Sequence, residues 1–326
     1  MAIEQAGIRN SCIFVIQLLQ IPAFILYLMF KKLDELQNLI DTSKPRKRLA
    51  LAVSHDRYSL EAVHKAFTNG IIEPVLIGSE KKTAEMAKEL GLNFYGASFV
   101  DEPVPERAVE LAVRMVHDGR ADILMKGKVP TPVILKAVLN KEWGLRSGHL
   151  LSHLSIFEVD TYHKLIGVTD VAMNIAPSLK DKIAIINNSV AYFNKIGIER
   201  PKVAVLGAIE MVNENMQATL DAALLSKMNQ RDQIVNCMID GPLAFDNAIS
   251  TKSALNKGIK SEVAGDTDIL LMPDIEVGNV LYKSLVWFAK AKVASLVLGA
   301  SAPIVLTSRS DSDDSKYYSI LMAALG

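Results

Sequence analysis

The chain alternates short apolar runs with amphipathic stretches of helical period. After Lys44-Pro45, Leu49 to Val53 reads as a strand, Ser54-His55-Asp56 as a polar turn and Leu60 to Phe67 as a helix. Pro74 to Gly78 is the next strand, and Lys81 to Leu90 the next helix. Val104, Ala108, Leu111, Ala112, Met115 and Val116 fall on one helical face, and Ala121 to Met125 is again a strand. Leu150 to Val159 and Lys164 to Val168 read as strands, and Leu179 to Ile196 as a helix ended by Gly197. The second half repeats this pattern. Strands are expected at Val203–Leu206, Ile234–Ile239, Asp268–Met272 and Val293–Leu298, and helices at Met216–Met228, Phe245–Asn256 and Val280–Lys290. A last strand, Pro303 to Leu306, leads through a polar turn into a helix from Lys316 to Leu325. The runs are too short to return by hairpins, so the pattern predicts an α/β protein with a parallel, doubly wound sheet.

Two features lie outside that rhythm. Cys12 to Phe30 is almost wholly apolar, broken by Gln17, Gln20 and Pro22. Its length is near that of a membrane span, and the following Lys31, Lys32, Lys44, Arg46, Lys47 and Arg48 would keep the rest of the chain in the cytoplasm. The polar residues and the proline favour instead a helix packed on a partner subunit, or an extension foreign to the folded unit. Lys31 to Ile40 then reads as a helix with Leu33, Leu36, Leu39 and Ile40 on one side.

With 326 residues, the chain fits two domains, and half of it is hydrophobic. Basic and acidic residues balance at 36 each, which argues against a general nucleic-acid binder. Cys12 and Cys237 form neither a metal nor a redox spacing, as expected in a reducing compartment.

Candidate chemistry gathers at predicted strand ends, where open α/β sheets bind ligands. Lys126-Gly127-Lys128 precedes a Thr131-Pro132 helix start, with Thr131 as cap, and is either an anion site, though not a Walker A loop, or a capped helix with solvated lysines. Arg146 is a candidate phosphate clamp. His149 and His153 are four apart with no carboxylate set for a metal, so they are structural or substrate-lining. Asp170 and Asn174, in a stretch of small residues, either satisfy backbone groups or face a cleft. Glu210, Asp240, Asp274 and Asn279 end other predicted strands, and no strand is followed by a dinucleotide glycine fingerprint. The last strand ends in Thr307-Ser308-Arg309-Ser310-Asp311.

Taken together these strings resemble the phosphate acetyl/butyryltransferase family. The carriers are Met125 to Thr131, Gly144-Leu145-Arg146 with Ser152-His153, Thr169 to Asn174, Asp240 to Asn247, Asp274 to Asn279 with Tyr282-Lys283, and Leu306 to Arg309 with Asp311-Ser312. The likeness runs from about Lys47 to Gly326 and is greater to the butyryl branch than to the acetyl branch. The extension before Lys31 departs from the family. The resemblance implies two α/β/α domains around a cleft, isocitrate/isopropylmalate dehydrogenase-like: residues 31–157 plus 307–326, and residues 158–306, with residues 1–30 as the extension. It implies a homodimer or higher homo-oligomer, a cytoplasmic enzyme, and coenzyme A (CoA) thioester and inorganic phosphate as substrates with no tightly bound cofactor and no metal. It implies catalysis by Ser308, Arg309 and an aspartate base, for which Asp311, Asp313 and Asp314 compete, Asp311 preferred and Asp314 second. Lys126, Gly127, Thr131, Arg146, Ser152, Asp170, Asn174, Asn279 and Lys283 would bind substrate.

The chemistry fits those residue types. A guanidinium holds phosphate bidentately, a hydroxyl or amide donates to the developing oxyanion, and a carboxylate takes the thiol proton in reverse. Phosphate acetyltransferase is the nearest alternative. A nicotinamide-dependent dehydrogenase of the same architecture, and a non-catalytic CoA-binding module tethered through Cys12 to Phe30, are the alternatives of other classes.

Overall fold

The computed structural model describes residues 30–307 and 312–326. Most of the apolar segment Cys12 to Phe30 and the Ser308–Asp311 stretch therefore lie outside the described residues. A 3-10 helix, Leu33–Leu39, forms within the helix expected from Lys31 to Ile40 and buries Leu33 and Leu36. The first half then runs β1 (Lys47–Ala52), α1 (Arg57–Thr68), β2 (Ile72–Gly78), α2 (Glu80–Glu89), β3 (Ser98–Asp101), α3 (Pro105–His117), β4 (Ile123–Lys126) and α4 (Thr131–Val138). β5 (Ser152–Glu158) and β6 (Ile166–Thr169) lead to α5 (Leu179–Lys195), β7 (Lys202–Leu206), α6 (Gln217–Gln230) and β8 (Met238–Leu243). Then come α7 (Phe245–Ile249), α8 (Thr251–Asn256), β9 (Ile269–Leu271), α9 (Ile275–Trp287), β10 (Lys292–Leu298), β11 (Ile304–Val305) and α10 (Asp313–Leu325).

The eleven strands among the described residues join one sheet, in the order β3-β2-β1-β4-β11-β10-β5-β6-β9-β7-β8. The sheet is mixed, which corrects the parallel expectation. β5 is antiparallel to both β6 and β10, and β10 is antiparallel to β11. The connection 159–165 is short enough to return the chain antiparallel, so the hairpin excluded from strand length does form. In consequence β3, β2, β1, β4, β11 and β5 run one way, and β10, β6, β9, β7 and β8 the other.

Alternation along the strands builds three layers. On β1, Leu49 and Leu51 pack with Leu60 of α1 and Leu321 of α10, while Ala50 and Ala52 pack with Val109 and Val113 of α3. On β7, Val203 and Val205 meet Ile185 of α5 and Leu225 of α6, and Ala204 and Leu206 meet the α7 and α9 side. One face of the sheet thus carries a single continuous core. The opposite face carries two separate cores, one over each half. This is the isocitrate/isopropylmalate dehydrogenase-like arrangement, two helix-covered halves with a gap between them on one face.

The amino ends of the parallel strands are tied by ion pairs. Asp122, just before β4, accepts from the Arg48 guanidinium of β1 in a fork at 3.0 Å and 3.0 Å. In the second half Asp266 accepts from Lys202 at 2.6 Å, Lys164 at 2.9 Å and His163 at 2.7 Å, and Lys164 also pairs with buried Asp268 at 2.7 Å. Burial alone raises the Asp266 pKa. The hydrogen bonds from Lys202, Lys164 and His163 outweigh that and hold it below the usual carboxylate range. A carboxyl depressed in the native state contributes stability that is full above its unfolded pKa of about 3.9 and disappears as pH falls through the native value. Asp266→Asn is therefore expected to lower urea stability at pH 7, with the gap to wild type closing as pH falls below 4. A gap constant with pH would show that this cluster does not titrate on unfolding.

Candidate active site

The gap between the two cores on the divided face holds a cavity of about 350 Å³. Its floor comes from the central strands. Leu154, Ile156, Ala294 and Leu296 point into the continuous core, so the alternate residues His153, Ser155 and Ser295 face the gap. Polar side chains stand there in place of apolar ones on a stripe that faces the cavity. Ser155 and Ser295 share a hydrogen bond of 2.9 Å, and His153 Nδ1 lies 3.4 Å from the Ser155 hydroxyl.

The walls come from both halves. β11 delivers Leu306 and Thr307, and α4 delivers Thr131. Buried Lys316 of α10 donates to the Thr307 hydroxyl at 2.9 Å. From the other side come Val171 to Met173 after β6 and Asn279, Tyr282, Lys283, Val286 and Trp287 of α9. Helix α9 comes this close because residue 278 has no side chain: a Cβ on Gly278 would collide with the Asp170 carbonyl. Asn279 then donates to the Val171 carbonyl at 3.3 Å.

The lining has two parts. Thr131, His153, Asn279, Lys283, Ser295 and Thr307 bring hydrogen-bond donors, while Val171, Met173, Val286, Trp287 and Leu306 are apolar. No carboxylate lines it among the described residues. Nor, among them, do three potential metal ligands cluster anywhere. Such a cavity receives an anion or a polarised carbonyl beside an apolar group.

Of the residues expected from sequence, Thr131, Asn279 and Lys283 meet in this cavity. Thr131 is the first helical residue, with Pro130 at the cap, and makes no capping bond, which corrects its expected role as cap. Lys126 is buried at the end of β4, beside β11, and Gly127 turns the chain against β1. Asp170 is buried and accepts from the amides of Ala172 and Met173, each at 2.9 Å, and from Asn174 at 2.6 Å. Asn174 also donates to the Leu151 carbonyl. This pair shapes the loop that forms one wall. Buried Ser152 accepts from Asn188 at 2.9 Å. Arg146 is exposed, bridged through its backbone to Ala300, and does not line the cavity. Asp314 is in the first turn of α10, paired with Lys65 at 2.8 Å. Ser308, Arg309 and Asp311 lie outside the described residues, one, two and four positions after the lining residue Thr307.

Of the other acids expected at strand ends, Glu210, Asp240 and Asp274 do not line the cavity. Glu210 pairs with Lys257, Asp240 lies within β8, and Asp274 caps α9 by accepting from Val277. Sequence reasoning missed Ser295 and Lys316. A lone hydroxyl inside the apolar Val293–Leu298 run was the available signal for the first. Nothing local marks Lys316. His149 is exposed and His153 buried, so the two do not act as a pair. Cys237 is buried, and burial pushes its thiol up to about 11, which leaves it a poor nucleophile.

The fold and site define an α/β protein with a donor-rich cavity between two opposed halves, lined by no carboxylate among the described residues. Residues 33–110 and 100–324 match the family described as phosphate acetyl/butaryl transferase, and the chain belongs to that family. It is 48% identical over 283 residues to a phosphate butyryltransferase of Clostridium acetobutylicum, covering 87% of this chain and 94% of the relative. It is 44% identical over 291 residues to a phosphate acetyltransferase of Thermotoga maritima, covering 89% and 99%. Among solved structures, a branched-chain phosphotransacylase from Enterococcus faecalis V583 superposes with a TM-score of 0.76 at 32% identity, covering 86% of this chain and 98% of that one.

Proposed function

We propose that the protein moves a short-chain acyl group, butyryl favoured, between CoA and inorganic phosphate. Both substrates are bound at once, with no tightly bound cofactor. The observation that carries this reading is the cavity itself, with donors for a phosphate and a thioester carbonyl beside apolar surface for an acyl chain. Phosphate oxygen attacks the thioester carbon, the carbonyl oxygen takes up negative charge, and the C–S bond breaks to release CoA thiolate. The gain comes from proximity and from donors already aimed at the oxyanion. Arg309 is assigned to phosphate and Ser308 to the oxyanion. In reverse a carboxylate takes the CoA thiol proton. Asp311 is preferred as that base, because the Asp314 carboxylate is engaged by Lys65 at 2.8 Å. Lys283 and Asn279 are assigned to substrate, with Arg146 an outer candidate. In this reading residues 31–157 with 307–326 are one domain, residues 158–306 the other, and the enzyme acts in the cytoplasm.

The preference for butyryl rests on greater likeness to butyryl than to acetyl enzymes, a modest margin. One methylene changes binding by about 1–3 kcal/mol, so acyl chains will overlap. The test is release of CoA thiol from butyryl-CoA, with and without phosphate. Phosphate-dependent release is expected, faster than from acetyl-CoA at equal concentration. Faster acetyl release would make it a phosphate acetyltransferase. Release without phosphate would make it a thioesterase. No release from either ester would leave the CoA-binding and dehydrogenase readings.

A second copy of the chain is the proposed partner. Val277, Val280, Trp287 and Phe288 leave an exposed apolar stripe on and just beyond α9, 44% to 90% accessible, continuous with exposed Phe245. The described residues contain no helix long and apolar enough to cross a membrane. Val280→Asp is expected to shift a sedimenting dimer to monomer. A dimer that persists at micromolar concentration would place the interface elsewhere.

A further inference from the structure

Three neighbouring strand ends outside the cavity carry a cluster that the acyl-transfer chemistry does not use. β2, β1 and β4 are adjacent and parallel, so their carboxyl ends lie side by side. β2 leads into α2, whose first turn carries Lys82, with the Lys82 amide donating to the Ser79 hydroxyl. β1 leads into Ser54-His55, and the Ser54 hydroxyl shares a 2.8 Å hydrogen bond with Thr83 of α2. β4 leads into Gly127-Lys128, and the Lys128 amide donates to the Val53 carbonyl at 2.9 Å. Lys82 and Lys128 are therefore held by their backbones on either side of His55.

Neither ammonium has a carboxylate within ion-pair distance among the described residues, whereas Lys65, Lys164, Lys182 and Lys202 each do. His55 Nδ1 is buried and has no hydrogen-bond partner. Buried polar atoms in native proteins are nearly always satisfied, so this orphan needs a water or a ligand group beside it. Burial first, and then Lys128 and Lys82, lower the His55 pKa, against a weaker opposing pull from Asp56. The Asp56 carboxylate is itself occupied in capping α1 through Ser59. The cluster thus offers two unpartnered cations and a neutral imidazole that can share one hydrogen bond with an anion.

Its position fits one part of the substrate. The cavity reaches the end of β11 at Thr307 and includes Thr131, three residues after Lys128. From β11 across β4 and β1 to β2 is three strand spacings, or roughly 14 Å. A CoA ester is built on that scale: its pantetheine arm separates the thioester from a nucleotide end that carries several phosphate charges. We propose that Lys82, His55 and Lys128 form the subsite that holds the phosphate groups at the nucleotide end of the CoA ester. The inference rests on the acyl-transfer reading and adds the place where the carrier is recognised.

The test compares two thioesters in the full-length enzyme, butyryl-CoA and butyryl-pantetheine, which keeps the arm and lacks the nucleotide. Turnover of both by wild type checks the reaction itself, separately from the subsite. For Lys82→Ala/Lys128→Ala the ratio of kcat/KM for butyryl-CoA over butyryl-pantetheine is expected to fall roughly tenfold or more, through KM, as lost charge-assisted contacts require. His55→Gln should lower the same ratio by a smaller factor. Both lysines are exposed, so these substitutions do not threaten the core. A ratio within twofold of wild type in the double variant would overturn the proposal. So would a rise confined to the KM for inorganic phosphate, which would make the cluster a free-phosphate site.

Discussion

Arg309→Ala is expected to lower kcat/KM for phosphate roughly a thousandfold, about 4 kcal/mol of transition-state stabilisation, while the protein still unfolds cooperatively. The reason is the economy of the cavity. Its described lining supplies one ammonium, Lys283, together with neutral donors, and no guanidinium among the described residues lines it. Holding a phosphate oxyanion against a thioester carbonyl calls for two donors in a fixed fork, which an ammonium does not provide. Arg309 follows Thr307 by two positions, and Thr307 is both a wall of the cavity and the acceptor for buried Lys316. Arg309→Lys keeps the charge and loses the fork, so it should recover only part of the activity. The loss should appear in phosphate saturation more than in butyryl-CoA saturation. Near-wild-type kinetics in Arg309→Ala would move the phosphate clamp to another residue, with Arg146 the next to test.

Most elements were legible because β1, β2 and β4 are largely buried apolar runs bracketed by polar turns. β1, β2 and β4 and helices α1 to α3 fall within a few residues of their sequence positions. β3 was invisible because Ser98 and Asp101 are exposed and the strand sits at the sheet edge with no apolar run. The strand expected over Ile234–Ile239 begins only at Met238. The Asn229 side chain grips the carbonyls of Ile234 and Cys237 and the amide of Ile239, holding the preceding residues as a loop. Helix α9 starts at Ile275 rather than Val280, and here the signal was present, since Asp274 is a capping residue followed by an acid in the first turn. Strand direction was not legible. Pairing of β5 with β10 joins residues about 140 positions apart, and periodicity carries no information on that. The same limit governs the site. Thr131, Asn279 and Lys283 lie beside strings that could be recognised, whereas Ser295 and Lys316 acquire their roles only when the sheet is assembled.

Gly127→Ala is the second large effect expected, and it tests how the sheet sets the site. Gly127 donates to the Ala52 carbonyl at 2.8 Å, and Lys128 donates to Val53 at 2.9 Å, so the turn after β4 is laid directly on the end of β1. A Cβ at residue 127 would collide with the Val53 carbonyl oxygen and lie 2.7 Å from that of Ala52. Both obstacles are backbone, one at the end of buried β1 and one in the turn just after it, with no flexible side chain to move aside. The turn itself must lift, and both hydrogen bonds lengthen. Overpacking of this kind costs about 1–3 kcal/mol. The larger consequence is positional. Lys126 and Thr131 flank the turn, and Thr131 lines the cavity. A displacement near 1 Å in a positioning element can cost on the order of a hundredfold in rate. Gly127→Ala should therefore lose about two orders of magnitude in kcat/KM for butyryl-pantetheine, and at least as much for butyryl-CoA, because the lifted turn also carries Lys128. The loss with butyryl-pantetheine separates it from the lysine variants, whose loss is confined to the CoA ester. Urea unfolding alongside the kinetics distinguishes a lifted turn from an unfolded protein. If Gly127→Ala retained wild-type rates, the Lys126–Thr131 turn would have no part in holding the substrate.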